Sequence, residues 1–439
     1  MPCADVAPIT LPMTLAEKIL ARACGRASVS PDQIVVASID LALSHENADL
    51  VRKSFREIGL AQVWDPERIV IVLDHRIPAE SEKTATTHKA IREFVAEQGI
   101  RHFYDVGRGG ICHQVLAENA HVLPGMVVVG TDSHTTTHGA FGAFATGIGA
   151  TEMAGVWTEG KLWFKVPATL RIEVSGALPQ WISAKDLILY IIGQLHSDGA
   201  DYQAVEFDGP AVRHMTVASR MVLANLAMEM GAKVAFTPVD DQLLSFLHRH
   251  AHTLSATDLS AFAAWRPDPG AHYAKVLRFD AGKVLQEPQV ACPHAVDNVK
   301  PVSAVAGVEV NQAVLGSCTN GRLEDLEMAA YVLTGRHVHP HTRLLIVPAS
   351  QQIYLEAMRM GYLETLVTAG AIINPPGCGP CVGVHQGILA AGEVCISSTN
   401  RNFIGRMGSK DSDVYLASPA VVAASAVAGH IVHPKEVVS

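Results

Sequence analysis

Gly377-Cys378-Gly379-Pro380-Cys381-Val382-Gly383 sets two cysteines, separated by a glycine and a proline, in a bend of the chain. A third cysteine lies upstream in Gly316-Ser317-Cys318-Thr319-Asn320. Three thiolates aimed at one point, with no evident fourth, point to an iron–sulfur cluster with one iron open to substrate. Each motif follows a short apolar run: Ala371-Ile372-Ile373 before the pair, Ala313-Val314-Leu315 before Cys318. Uninterrupted apolar runs of this length read as strands buried on both faces of a parallel sheet.

Working outward, the same device recurs. Ile69-Val70-Ile71-Val72-Leu73 stops abruptly at Asp74-His75, and Val127-Val128-Val129-Gly130 delivers Thr131-Asp132-Ser133-His134. Leu344 to Val347 reads as a strand, and Val394 to Ser397 leads into Thr399-Asn400-Arg401. Polar, reactive residues at the carboxyl ends of hydrophobic strands are where open α/β sheets place their sites. Helical patterns alternate with the strands, over Asn47 to Ile58, Ser81 to Gln98 and Leu323 to Leu333. A further helix runs from Thr14 to Cys24, where Thr14 and Glu17 form a capping box. Val35 to Leu43 is strand-like, residues 1–12 are a loose lead-in, and Arg266–Gly270 is a turn. The alternation implies layered α/β/α domains around a central site. Boundaries near Pro167 and Gly282 give units at 1–166, 167–282 and 283–439, the last carrying all three motif cysteines.

Gly142 to Gly149 is rich in glycine, but no Gly-Lys-Ser/Thr follows and the dinucleotide pattern is incomplete. It reads as close backbone packing behind the Asp-Ser-His loop.

The 439 residues suffice for about two to four domains. With 49% hydrophobic and 18% charged residues, the chain is globular and rich in core. A net charge of −9 argues against nucleic acid and anionic membranes as partners. Anionic substrates then require a local cluster of cations, and Arg401 and Arg406 share one glycine-bearing loop. No apolar run reaches the roughly 18 residues that span a bilayer. Ala420 to Val432 is broken by Gly429 and His430, and the first dozen residues lack a basic leader. A soluble cytoplasmic protein is expected.

Of the eight cysteines, Cys3, Cys24, Cys112, Cys292 and Cys395 have no motif and read as ordinary thiols. Cys378-Gly379-Pro380-Cys381 also spells a thioredoxin-type dithiol. Asn374-Pro375-Pro376 before it, and the separate setting of Cys318, argue against that reading. Structural zinc wants four Cys or His ligands, and His385 or Cys395 could complete such a set. His134-x-x-x-His138 lacks the glutamate of a zincin, so His138 reads as structural.

Taken together the motifs resemble the aconitase superfamily, and within it the large subunits of 3-isopropylmalate dehydratase and homoaconitase. The likeness runs through Asp74-His75-Arg76-Ile77-Pro78, Gly130–Thr135, Gly316–Asn320, Gly377–Gly383 and Thr399–Arg406, in family order over nearly the whole chain. It implies one [4Fe-4S] cluster held by Cys318, Cys378 and Cys381, whose unligated iron binds a substrate hydroxyl and carboxylate. Hydroxide leaves poorly, and a Lewis acid stabilises its departure.

The resemblance also assigns roles. Asp74 and His75 supply the acid that protonates the leaving hydroxyl. His113 pairs with Asp132, and His134 with Glu229. Carboxylate–imidazole pairing fixes a tautomer and raises basicity, so these pairs make chemical sense. Asn225 and Glu229, four residues apart, share one helix face. Ser133, Asn225, Arg401 and Arg406 contact substrate, and Asn400 neighbours the cluster.

Single-chain relatives add a swivelling fourth domain with a serine base and another arginine. This sequence has no long tail after Val432-His433-Pro434, so a separate small subunit is expected, in a heterodimer or heterotetramer. The chain alone should be inactive. The implied activity dehydrates a hydroxy dicarboxylate and rehydrates the alkene. The first candidate is the 3-isopropylmalate dehydratase reaction of leucine biosynthesis. Homoaconitase, 2,3-dimethylmalate dehydratase and maleate or citraconate hydratase are the alternatives. RNA binding and thiol redox chemistry are remote ones.

Overall fold

The computed structural model describes residues 11–251 and 254–438. Most of the expected lead-in, with Cys3, lies outside them. The strands sort into three larger sheets in chain order. The first runs His102–Tyr104, Ile69–Val72, Leu41–Ser44, Val127–Gly130, Phe144–Gly147, every neighbour parallel. The second runs Val234–Phe236, Ala204–Asp208, Thr169–Ser175, Lys275–Asp280, again all parallel. The third has seven strands. Its parallel part orders Asp413–Leu416, Val394–Ser397, Gln312–Gly316, Arg343–Val347, Ile372–Ile373. Gln289–Ala291 and Val299–Pro301 extend it antiparallel.

The apolar runs explain the central strands. Ile69–Val72, Val127–Gly130 and Gln312–Gly316 are buried at every position. Each Val, Leu or Ile so buried contributes about 1.5–3 kcal/mol relative to exposure. One face of the first sheet packs on helices Leu15–Cys24, Ala48–Ile58, Glu82–Gln98 and Ala150–Glu159. Its other face shares a core with helices Ala184–Leu195 and Val217–Leu226 and with the second sheet. The third sheet is covered by helices Leu323–Leu333, Gln351–Arg359, Tyr362–Thr368 and Pro419–Ala428.

Local chemistry sets the helix ends. The Thr14 hydroxyl accepts from Glu17 N–H, the Glu17 carboxylate accepts from Thr14 N–H, and Gly25 stops the helix in the left-handed region. Ser81 caps the next long helix through Thr84 N–H.

Two expectations need correction. Val35 to Leu43 is not one strand. Ile34–Ser38 pairs with Lys161–Lys165 in an antiparallel ribbon, and Leu41–Ser44 joins the first sheet. The chain changes sheet at Asp40, whose carboxylate accepts Val127 N–H at 2.7 Å. Asn225 and Glu229 do not share one α-helix. The helix ends at Leu226, and Glu229 sits on the 3-10 turn Ala227–Met230 that follows.

Candidate active site

Five strand ends converge. Asp74 and His75 follow Ile69–Val72, Asp132 follows Val127–Gly130, and Cys318 follows Gln312–Gly316. Cys378 and Cys381 follow Ile372–Ile373, and Asn400 and Arg401 follow Val394–Ser397. The first and third sheets are stitched at this seam. Cys378 N–H donates to Asp74 O at 2.7 Å and Ile111 N–H to Ala349 O at 2.8 Å.

Cys318, Cys378 and Cys381 line one small buried cavity, together with Asp74, His75 and His113. Asp132, His134, Asn400 and Arg406 also line it, as do Ile111, Ser317 and Cys112, a thiol without a sequence motif. Cys318 gets there by a sharp turn: Ser317 has φ 71°, a left-handed conformation that costs a non-glycine residue energy. The buried guanidinium of Arg322 holds that turn, donating to Cys318 O at 2.8 Å and Thr319 O at 2.6 Å.

The sulfurs meet donors. Asn225 Nδ2 lies 3.2 Å and Asn400 Nδ2 3.1 Å from Cys318 Sγ. An Arg406 Nη donates to Cys381 Sγ at 3.8 Å. A hydrogen bond from Cys378, against burial and helped by Arg406, holds the Cys381 thiol well below its usual range. That hydrogen bond, with burial, drives Cys378 well above it. Burial and the neighbouring Cys381 push Cys318 up to about 12. Amide donors at Cys318 and a guanidinium donor at Cys381 form a set suited to anionic, metal-bound sulfur.

The fourth ligands weighed for zinc do not join this wall. Cys395 Sγ packs against Met407 Sδ at 3.7 Å within an apolar cluster. His385 Nε2 meets Ile77 O at 2.5 Å.

Carboxylates and imidazoles form a chain beside the cysteines. His75 Nδ1 is 2.5 Å from Asp74 Oδ1, and its Nε2 is 3.5 Å from Asp132 Oδ2. Burial opposes charge on this ring, but Asp74, Asp132 and Glu46 raise its pKa well above the usual value. His113 Nε2 is 2.9 Å from Asp132 Oδ1. His134 Nε2 is 2.7 Å from Glu229 Oε1, which also accepts from Arg401 Nε at 2.8 Å. Despite burial, hydrogen bonds to Asp132 and Glu229 raise His134. Hydrogen bonds from three histidines override burial and hold Asp132 well below the carboxylate range.

An adjoining cleft is shared by His75, Asp132, His134 and Arg406, and adds Ser133, Arg401 and His45. Asn225 and Glu229 line neither space but touch residues that do. Every site residue singled out in the sequence therefore lies in this region.

Others escaped sequence reasoning. Glu46 accepts His75 N–H at 3.0 Å and Arg76 N–H at 2.9 Å, beneath the site. His45 stacks on His75, with centroids 4.0 Å apart. The oxygens of Glu46 also lie 3.6 Å from His45 Nδ1 and 3.6 Å from His88 Nε2. Among the described residues, only His45, Glu46, Asp74 and His75 form a further set spaced for a cation, and two of these already serve the site. A polar cluster directly after the apolar strand Leu41–Ser44 was the one available signal.

Comparisons with known proteins agree with this geometry. The sequence model of the aconitase family (aconitate hydratase) matches residues 17–308 and 300–429. The chain is 51% identical to the 3-isopropylmalate dehydratase large subunit 1 of Methanopyrus kandleri, over 96% of this chain and 99% of that one. It is 51% identical to the probable methanogen homoaconitase large subunit of Methanosarcina mazei, over 92% of this chain and 100% of that one. Against the 3-isopropylmalate dehydratase large subunit of Moorella thermoacetica the figures are 46%, 97% and 99%. With three cysteines brought together from two strand ends, and with matches of this extent, the chain belongs to the aconitase family.

Proposed function

We propose that this chain is the cluster-bearing large subunit of a hydro-lyase acting on a hydroxy dicarboxylate, with 3-isopropylmalate as the first candidate. The observation that carries the reading is the shared cavity, lined by three cysteines, by Asp74, His75, His113, Asp132 and His134, and by Arg406. Cys318, Cys378 and Cys381 would hold a [4Fe-4S] cluster, which supplies a Lewis acid for the departing hydroxyl when bound. The donor set around the sulfurs fits that group.

The protein's own residues do the rest. His75, protonated at neutrality, presents Nε2–H to a leaving hydroxyl, while Asp74 fixes Nδ1. Arg406 is half-buried beside the cavity, and among the described residues its buried Nε–H has no partner, an unmet donor for a substrate carboxylate. Arg401, oriented by Glu229, offers its remaining N–H groups to a second carboxylate. Ser133 and Asn225 complete the contacts, and Asn400 neighbours the cluster.

Large-subunit names among the relatives support a separate small subunit that brings the swivel domain and its base. We place the pair in the cytoplasm, where thiols stay reduced. Among the described residues no helix is long and apolar enough to cross a membrane. Units at 1–166, 167–282 and 283–439 accord with the sorting of strands into sheets.

Homocitrate is the second candidate, since relatives named homoaconitase large subunits are 51% and 49% identical. The test is anaerobic purification with a small subunit. Alkene absorbance is then followed with 3-isopropylmalate, homocitrate, dimethylmalate and malate. Turnover of 3-isopropylmalate above the others supports the first reading, and preference for homocitrate selects the second. No turnover of any of them by an iron-loaded complex sinks both. The large chain alone should show none.

A further inference from the structure

His138 is fully buried in the turn Ser133–Phe141, near the site yet absent from its wall. Its Nε2 lies 3.3 Å from His113 Nδ1, and the two rings meet edge to face with centroids 5.3 Å apart. Its other nitrogen, Nδ1, is buried and has no hydrogen-bond partner. Burial holds its pKa well below the ordinary value, so the ring is neutral and carries one proton.

With His113 neutral, its proton and that of His138 have one arrangement. Asp132 is ionised and can only accept, so His113 carries its proton on Nε2, 2.9 Å away. His113 Nδ1 is thereby a bare lone pair. It needs a donor, and His138 Nε2 is the one in reach. The proton of His138 must sit on Nε2, which leaves Nδ1 as the orphaned atom. The opposite tautomer would set two lone pairs against each other and bury an N–H without a partner.

We propose that His138 is a positioning residue that locks His113 in the Nε2–H tautomer, with its ring aimed at Asp132. It touches neither substrate nor sulfur and acts through His113. This rests on the proposed reading of His113 as an active-site residue.

The test compares variants of the anaerobic two-subunit complex by kinetics, iron content and crystallography. His138→Leu removes the donor at similar volume. Its kcat should fall about 10–100-fold, the range for lost partners of ligating or catalytic imidazoles. KM and iron per chain should stay near wild type. The crystal structure of His138→Leu should show the His113 ring turned away from Asp132.

His138→Gln, whose amide nitrogen can reach the place of Nε2, should recover most of kcat. His138→Asn, one methylene shorter, should not. That pair decides the matter if the Leu variant fails to take up iron. Unchanged kcat in His138→Leu, an unmoved His113 ring, or Gln no better than Asn would overturn the proposal. His113→Ala separates the two readings. If it is active, the site reading falls and takes this one with it. If it is inactive beside a fully active His138→Leu, only this one falls.

Discussion

Cys318, just after an apolar strand, and Cys395, within one, are both buried thiols, yet their surroundings differ in kind. Cys318 faces two carboxamide donors and shares a cavity with Cys378 and Cys381. Cys395 faces Met407 and an apolar cluster, and burial drives its pKa far up, which keeps it a thiol. Cys318→Ser should therefore drop iron and acid-labile sulfide to background in anaerobically purified protein. Cys395→Ser should leave both unchanged. Equal loss in the two variants would remove the reason for assigning the cluster to Cys318.

A second residue-scale effect concerns pH. Tyr104 Oη and His121 Nε2 are hydrogen-bonded at 2.6 Å, and the His102 ring lies 4.6 Å from that of His121. Burial, with His102 beside it, lowers His121 from 6.5 to about 4. The fold holds the neutral ring while the unfolded chain takes a proton below 6.5. This contribution is complete above pH 6.5 and is lost as pH falls to about 4. It amounts to about 3 kcal/mol at most. His121→Gln keeps an acceptor for Tyr104 without titrating. Its melting temperature should fall less steeply than that of wild type between pH 6.5 and 4.5; parallel curves would refute the assignment.

At the scale of elements, the site depends on how closely two loops pass. A Cβ on Gly147 would lie 2.7 Å from Asp132 O and 2.9 Å from Ser133 Cα. The backbone of the Asp-Ser-His loop needs that room. Gly147→Ala should cost about 1–3 kcal/mol through overpacking and should lower turnover by shifting Asp132. Gly155 is the control. It sits inside the helix Ala150–Glu159 with nothing within 4 Å of a new Cβ, so Gly155→Ala should raise the melting temperature. Reversed signs in thermal melts would contradict both the close approach and the open helix position.

The glycine-rich run was legible as close packing, and so were the strands whose ends carry Asp74, Asp132, Cys318 and Asn400. Each is a local pattern: an apolar run, a cap such as Thr14 with Glu17, a polar residue where the run stops. What stayed hidden depends on partners far along the chain. The break at Asp40 follows from its bond to Val127 N–H. Glu46 looks like any helix-preceding acid until the chain after Leu73 folds over it. Arg322 reads as a surface charge, yet it is buried against Cys318 O. His138 reads as structural because His134-x-x-x-His138 lacks a zincin glutamate, and nothing local reveals that it faces His113.

Across the whole molecule, parts from distant stretches of chain must hold one another in place for the cavity to exist. Lys185, on the helix Ala184–Leu195 beneath the second sheet, is fully buried. Its Nζ donates to Ser398 O at 2.9 Å and Thr399 O at 2.5 Å, on the turn that leads to Asn400 and Arg401. Burial lowers its pKa to about 8, so it stays largely charged at neutrality. A charged amine on two carbonyl oxygens ties the middle of the chain to the third sheet, just where that sheet presents Asn400 and Arg401.

Lys185→Met keeps much of the side-chain volume but strands both carbonyls. Each buried polar group left without a partner costs about 1–3 kcal/mol. The melting temperature should therefore drop by several degrees. The local consequence is the sharper one. With the turn released, Asn400 loses its fixed approach to Cys318 Sγ, so iron should leave faster on exposure to chelator than in wild type. Release is followed by the fall in visible absorbance. A variant with a lowered melting temperature but an unchanged rate of iron loss would show that Lys185 supports the fold without governing the site.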